Sequence, residues 1–148
     1  MKTIITHSAE DTKKFAAKLL ASLQGNNVLA LYGDLGSGKT TFSQGIGKAL
    51  GITRRMISPT FVVIRNYTLQ VKSSTLQFAN LYHIDLYRVQ NPKEVLDLGI
   101  LDLMKDPTNL VLIEWAEKMG EYVPNKRVDV RFEYMDEEKR KITINKLT

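Results

Sequence analysis

NVLALYGDLGSGKTTF, residues 27–42, decides the fold. Asn27 to Tyr32 reads as a buried strand, and Lys39 to Leu50 has helix character with Gly51 placed as a C-terminal cap. Between them, Gly33-Asp34-Leu35-Gly36-Ser37-Gly38-Lys39-Thr40 satisfies G-x-x-x-x-G-K-[ST] in full. The motif therefore stands in its required setting, after a strand and opening a helix. Its glycines permit backbone angles that a Cβ would forbid, so successive amides can point at phosphate oxygens. The following helix adds the positive end of its dipole. In such a loop Lys39 reaches the β- and γ-phosphates, the Thr40 hydroxyl binds Mg²⁺, and Thr41 is available to the α-phosphate.

Size and composition bound what surrounds this loop. A chain of 148 residues suits one domain, 1–148, burying about two thirds of its unfolded surface without help from disulfides or metals. The absence of cysteine excludes disulfides and thiolate zinc sites and points to the cytoplasm. No run approaches the roughly 20 apolar residues of a membrane span, so a membrane partner is not expected. The net charge of +5 suits a phosphate-rich partner but does not identify one.

Outward from the loop, Ser8-Ala9-Glu10-Asp11 resembles a capping box ahead of Phe15, Leu19, Leu20 and Leu23 at helical spacing. FVVIRNY (61–67), LYHIDL (81–86) and NLVLIEW (109–115) read as strands, and Pro92 to Leu98 as a short helix ended at Gly99. The polar link from Gln70 to Thr75 turns a hairpin or forms a mobile loop. RVDVRFEY (127–134) and KRKITINKL (139–147) alternate around a charged turn. The sum is an α/β domain of the P-loop NTPase-like kind: a mainly parallel central sheet with added antiparallel strands and flanking helices.

A magnesium site needs a carboxylate. Glu114 ends one apolar strand and Asp85 another, both expected beside the phosphate-loop strand at the carboxyl edge of the sheet. Alternation puts His83 and Asp85 on one face of their strand. The two carboxylates can bind the ion directly, act through water, or orient attacking water. ATP is expected rather than GTP: the nearest match to a guanine reader, Asn125-Lys126-Arg127-Val128-Asp129, carries its aspartate one residue late. A stand-alone small-metabolite kinase is the alternative reading. It requires a water-excluding lid, and little room exists for one between Asp85 and Glu114. Ser58-Pro59-Thr60-Phe61 reads either as a plain connection or as a switch segment bringing Thr60 near the γ-phosphate. Trp115, the only tryptophan, reads as a core aromatic or as a partner anchor.

Taken in order, GDLGSGKTTF, SPTF, YHIDLYR, LGI and LIEWAE resemble the TsaE family, bacterial P-loop ATPases needed to make threonylcarbamoyladenosine in tRNA. The resemblance runs from about Thr6 to the last strand. It implies an ATPase, weak alone, that joins the TsaB and TsaD proteins and resets their complex between turnovers. Contact with tRNA is then indirect, and no DNA partner is implied. By position it implies Gly33 to Thr40 as the phosphate loop, Thr40 and Glu114 as the magnesium site, and Asp85 as a carboxylate required for hydrolysis. It gives Trp115 a functional assignment and Ser58 to Phe61, with Thr60, the switch reading. It also sets the base of the nucleotide near Thr12, with Lys139 or Arg140 approaching from the C-terminal hairpin. Ser37 stands where alanine is common in the family.

Overall fold

Two apolar cores, one on each face of a single sheet, follow from residue alternation in the central strands. The computed structural model describes residues 1–53, 56, 63–69 and 78–147. Strand β1 (Lys2–Thr6) leads into α1 (Ala9–Ala21), β2 (Val28–Tyr32), α2 (Lys39–Ala49), β3 (Ile64–Thr68) and β4 (Asn80–Asp85). Two short helices, α3 (Glu94–Asp97) and α4 (Ile100–Lys105), precede β5 (Asn109–Glu114) and a 3₁₀ segment (Ala116–Tyr122). The hairpin of β6 (Arg127–Tyr134) and β7 (Arg140–Leu147) completes the order.

Among the described residues the strands form one seven-stranded sheet in the order β1-β7-β6-β2-β5-β4-β3. The strands β6, β2, β5 and β4 run parallel. At the edges β7, β1 and β3 pair antiparallel. Leu29 and Leu31 of β2, with Leu110 and Leu112 of β5, face a core built with Leu19 and Leu20 of α1 and Phe42 and Ile46 of α2. Their odd-and-even partners, Val28 and Ala30 with Val111 and Ile113, face a second core closed by Val95, Ile100 and Met104. The segment between Asp85 and Glu114 is thus used to cover the sheet. No helix among the described residues is long and apolar enough to cross a membrane.

Several expectations change. Asp85 does not end a strand beside the phosphate-loop strand, because β5 lies between β2 and β4. All six residues of β5 are buried, as a strand flanked on both sides and covered on both faces requires. Gly99, at φ +72°, does end α3 but also begins α4, which carries Ile100 and Met104 into the second core. KTIIT forms β1, a half-exposed edge strand, and AEKMGEY folds as the 3₁₀ segment. Residues 61 and 62 of the expected third strand, the SPTF stretch (58–61) with Thr60, and the link 70–77 lie outside the described residues.

Helix α1 begins as a capped helix should: Ser8 Oγ accepts from Asp11 N at 3.0 Å, and Asp11 Oδ2 accepts from His7 N at 2.9 Å. Where α1 crosses α2, Gly45 lets the backbones meet. A Cβ there would lie 2.7 Å from Lys13 Cα and 2.9 Å from the Ala16 Cβ. Gly45→Val is expected to cost about 2–3 kcal/mol, the overpacking penalty outweighing the gain in helix propensity. Urea unfolding measures it, and a stability equal to the unsubstituted chain would contradict the close crossing.

Candidate functional site

Because β2, β5 and β4 run parallel, their carboxyl ends share one edge, and Leu31, Glu114 and Asp85 stand in register there. Alternation turns Glu114 toward the same face as Leu110 and Leu112, the face on which α2 lies. The phosphate loop leaves β2 at Gly33 on that edge and curls into the start of α2. A cleft of about 320 Å³ results, lined by residues 35–41, Asp85, Tyr87, Glu114, Trp115 and Arg140.

The loop's shape depends on backbone that side chains would block. At Gly33, φ is +147° and a Cβ would sit 2.6 Å from Ser37 Oγ and 2.7 Å from the Phe132 carbonyl. At Gly38, φ is +110°, and α2 starts without a side-chain cap. Its first amides therefore have no capping side chain, in contrast with those of α1. Such amides are donors suited to an anion.

Lys39 is only 5% exposed. Its Nζ donates to the Gly33 carbonyl and, at 3.0 Å, to the Asp34 carbonyl. It also lies 4.0 Å from the centre of the Trp115 ring. Burial holds this ammonium below the ordinary lysine value of 10.5, although Glu114, Glu117, Asp34 and Asp85 pull it back up. Trp115 itself stands at φ +60°, a costly conformation for a bulky residue. The strained turn directly after Glu114 brings the indole over Lys39, where it also packs on Tyr87 with ring centres 5.2 Å apart.

Thr40 Oγ1 donates to Glu114 Oε1 at 3.2 Å. Glu114 Oε2 is 2.5 Å from His83 Nε2, and both residues are buried. Asp85 Oδ1 accepts from Tyr87 N at 2.9 Å, which fixes that carboxylate at the cleft wall. Two cis ligands of an octahedral ion with metal–oxygen distances near 2.1 Å lie about 3 Å apart, so the Thr40–Glu114 spacing fits Mg²⁺. Among the described residues no three or more His, Cys, Asp or Glu side chains form a ready metal cage.

A smaller hollow of about 70 Å³ adjoins the cleft through Gly38, Thr41 and Arg140 and is lined also by Ser8, Thr12, Glu137 and Glu138. Thr12 and Arg140, which the resemblance implies for the nucleotide, therefore line one hollow beside the loop. Thr12 is buried, its hydroxyl 2.7 Å from that of Thr6. Gly33 and Asp34 stand behind the cleft and offer their carbonyls to Lys39, while Leu35 at the loop tip is 81% exposed. Lys139 is exposed in the turn beyond the hollow's lining. Asp129, the aspartate of the off-register guanine-reader match, is held by Arg127 at 2.7 and 3.2 Å. Reading the sequence missed two residues: Tyr87, which supports Trp115, and His83. The signal for His83 was its parity with Asp85.

A parallel sheet ending in a glycine loop, with a lysine and a threonine–carboxylate pair at its carboxyl edge, defines a P-loop NTPase-like domain. The chain belongs to the family described as threonylcarbamoyl adenosine biosynthesis protein TsaE, whose model matches residues 6–142. It is 39% identical over 137 residues to the tRNA threonylcarbamoyladenosine biosynthesis protein TsaE of Rickettsia bellii, covering 92% of this chain and 89% of the relative. With the protein of the same name from Bacillus subtilis it shares 38% over 138 residues, covering 93% and 81%. The crystal structure of Bacillus subtilis YdiB superposes with a TM-score of 0.71 at 29% identity, over 99% of this chain and 86% of that one.

Proposed function

We propose that this chain binds ATP with Mg²⁺ in the cleft and hydrolyses it as the ATPase subunit of the machinery that makes threonylcarbamoyladenosine in tRNA. The observation that carries the reading is the Thr40–Glu114 contact beside a buried Lys39, in a chain that belongs to the TsaE family. The amides of residues 36–40 cradle the phosphates, and Lys39 leaves the Gly33 and Asp34 carbonyls to meet the β- and γ-oxygens. Thr40 and Glu114 would hold the ion, which would supply charge neutralisation to the phosphates. Asp85, fixed at the cleft wall, would act toward the ion or orient the attacking water. Trp115 and Tyr87 wall the site and limit access of bulk water. Water adds to the γ-phosphorus, the bond to the ADP oxygen breaks, and phosphate and a proton are released. The base lies toward Thr12 and Arg140.

Hydrolysis in this reading resets a cytoplasmic assembly with TsaB and TsaD, through which tRNA is reached. The kinase alternative is disfavoured because α3 and α4 are packed on the sheet and supply no lid. Phosphate release by the chain alone should be slow and should rise on adding TsaB and TsaD. Unchanged turnover with both proteins present would remove the assembly role. Labelled γ-phosphate appearing on a small acceptor would restore the kinase. Co-purification with both partners, with and without a non-hydrolysable ATP analogue, tests whether the nucleotide controls assembly.

A further inference from the structure

His83 lies outside the cleft lining, yet it is 1% exposed and touches the carboxylate on which the site turns. In the β4–β5 register Asp85 is opposite Glu114 and His83 opposite Leu112, so the imidazole reaches diagonally, one pair back along the sheet. Its Nε2 meets Glu114 Oε2 at 2.5 Å while Oε1 faces Thr40 at 3.2 Å. The two oxygens of one buried carboxylate thus have different partners, and together these fix the carboxylate plane. His83 Nδ1 has no partner among the described residues. The Glu114 carboxylate only accepts, so the hydrogen belongs on Nε2 and is donated to Oε2.

We propose that His83 is a positioning residue: by donating to Glu114 Oε2 it holds Oε1 toward Thr40, and so sets the affinity of the site for Mg²⁺ that arrives with ATP. This rests on the ATP and Mg²⁺ reading above. Without the imidazole a buried glutamate would turn to find another donor, and the Thr40–Glu114 spacing that fits the ion would be lost. Groups that orient a metal-binding side chain are worth about 10- to 100-fold in metal affinity. His83 touches neither the loop nor the cleft, so its loss should leave metal-free nucleotide binding nearly unchanged.

The measurement is calorimetric affinity of the full chain for a non-hydrolysable ATP analogue, with Mg²⁺ and with EDTA, expressed as the ratio of the two. In His83→Leu, which fills similar space without a donor, the Mg²⁺ enhancement should fall roughly tenfold or more, with EDTA affinity within about twofold of the parent. His83→Gln, whose amide can still donate to Oε2, should keep most of the enhancement. A folded His83→Leu with the parental ratio overturns the proposal, as does equal loss in the Leu and Gln variants. Should His83→Leu fail to fold, His83→Asn replaces it, its amide falling short of Oε2. Equal ratios in the Asn and Gln variants then overturn the proposal. If the parent chain binds the analogue without any Mg²⁺ enhancement, the reading of the cleft fails together with this inference. A parent that does show enhancement separates the two.

Discussion

Lys39→Ala is expected to weaken binding of an ATP analogue by 100-fold or more and to abolish hydrolysis. The side chain replaced is buried, and among the described residues its ammonium is held by two loop carbonyls and an indole face. A triphosphate offers it anionic oxygens instead. Charge-assisted hydrogen bonds are worth about 1.5–3 kcal/mol each, so losing two corresponds to roughly two to four powers of ten in affinity. Calorimetry measures the loss. Fluorescence of Trp115, the only tryptophan and the ring over which Lys39 lies, gives a second signal. Binding by the alanine variant within tenfold of the parent would remove Lys39 from the phosphate site.

The same lysine predicts a pH dependence. Its value in the folded chain without nucleotide is lowered from 10.5, chiefly by burial. A bound polyanion raises it. As pH climbs through the lowered value, the nucleotide-free protein gives up a proton that binding must restore. Affinity should therefore fall, with net proton uptake, in an alkaline window that opens below the ordinary lysine value. Folding stability has the opposite sign there: the unfolded chain binds more protons, so this residue's contribution improves as pH rises. Lys39→Ala should show neither slope. Calorimetry in buffers of different ionisation enthalpy reads the proton uptake.

Glu114→Gln is the second large effect, an expected loss of about 10²–10³-fold in hydrolysis at saturating nucleotide. The amide is nearly isosteric but removes the negative charge facing Thr40. It can offer an oxygen to only one of its two neighbours, Thr40 or His83, whereas the carboxylate accepts from both. Binding of the metal-free analogue should change little, since Lys39 and the loop amides remain. Glu114→Ala adds a stability cost of about 1–3 kcal/mol, because it leaves His83 Nε2 as a buried donor without an acceptor. Phosphate release and urea unfolding measure the two effects. Hydrolysis near the parental rate in the glutamine variant would move the metal role away from Glu114.

How much of this was readable from sequence depends on the range of the interaction. The glycine loop was legible because its pattern is local: glycines, a lysine and a threonine at fixed spacing between a strand and a helix. Glu114 and Asp85 were legible as strand-end carboxylates, since period-two alternation assigns faces without knowing neighbours. Strand order was not. Nothing in LYHIDL says that the fully buried NLVLIE will separate it from the loop strand, because that choice compares burial across the whole sheet. KTIIT was missed as a strand: its pattern is short and half-exposed, and it is held by pairing with Ile142 and Ile144 at the far end of the chain. The Lys39–Trp115 stack and the His83–Glu114 bond join residues that are distant in the chain, so only tertiary packing could bring them together.

By itself, then, the order of residues determined a glycine loop between a strand and a helix on an α/β scaffold, and the two acidic strand ends near it. The tertiary structure decided which carboxylate meets Thr40 and what holds that carboxylate in place. Spacing along a chain sets the facing of a side chain, but contact between strands depends on burial shared among all of them.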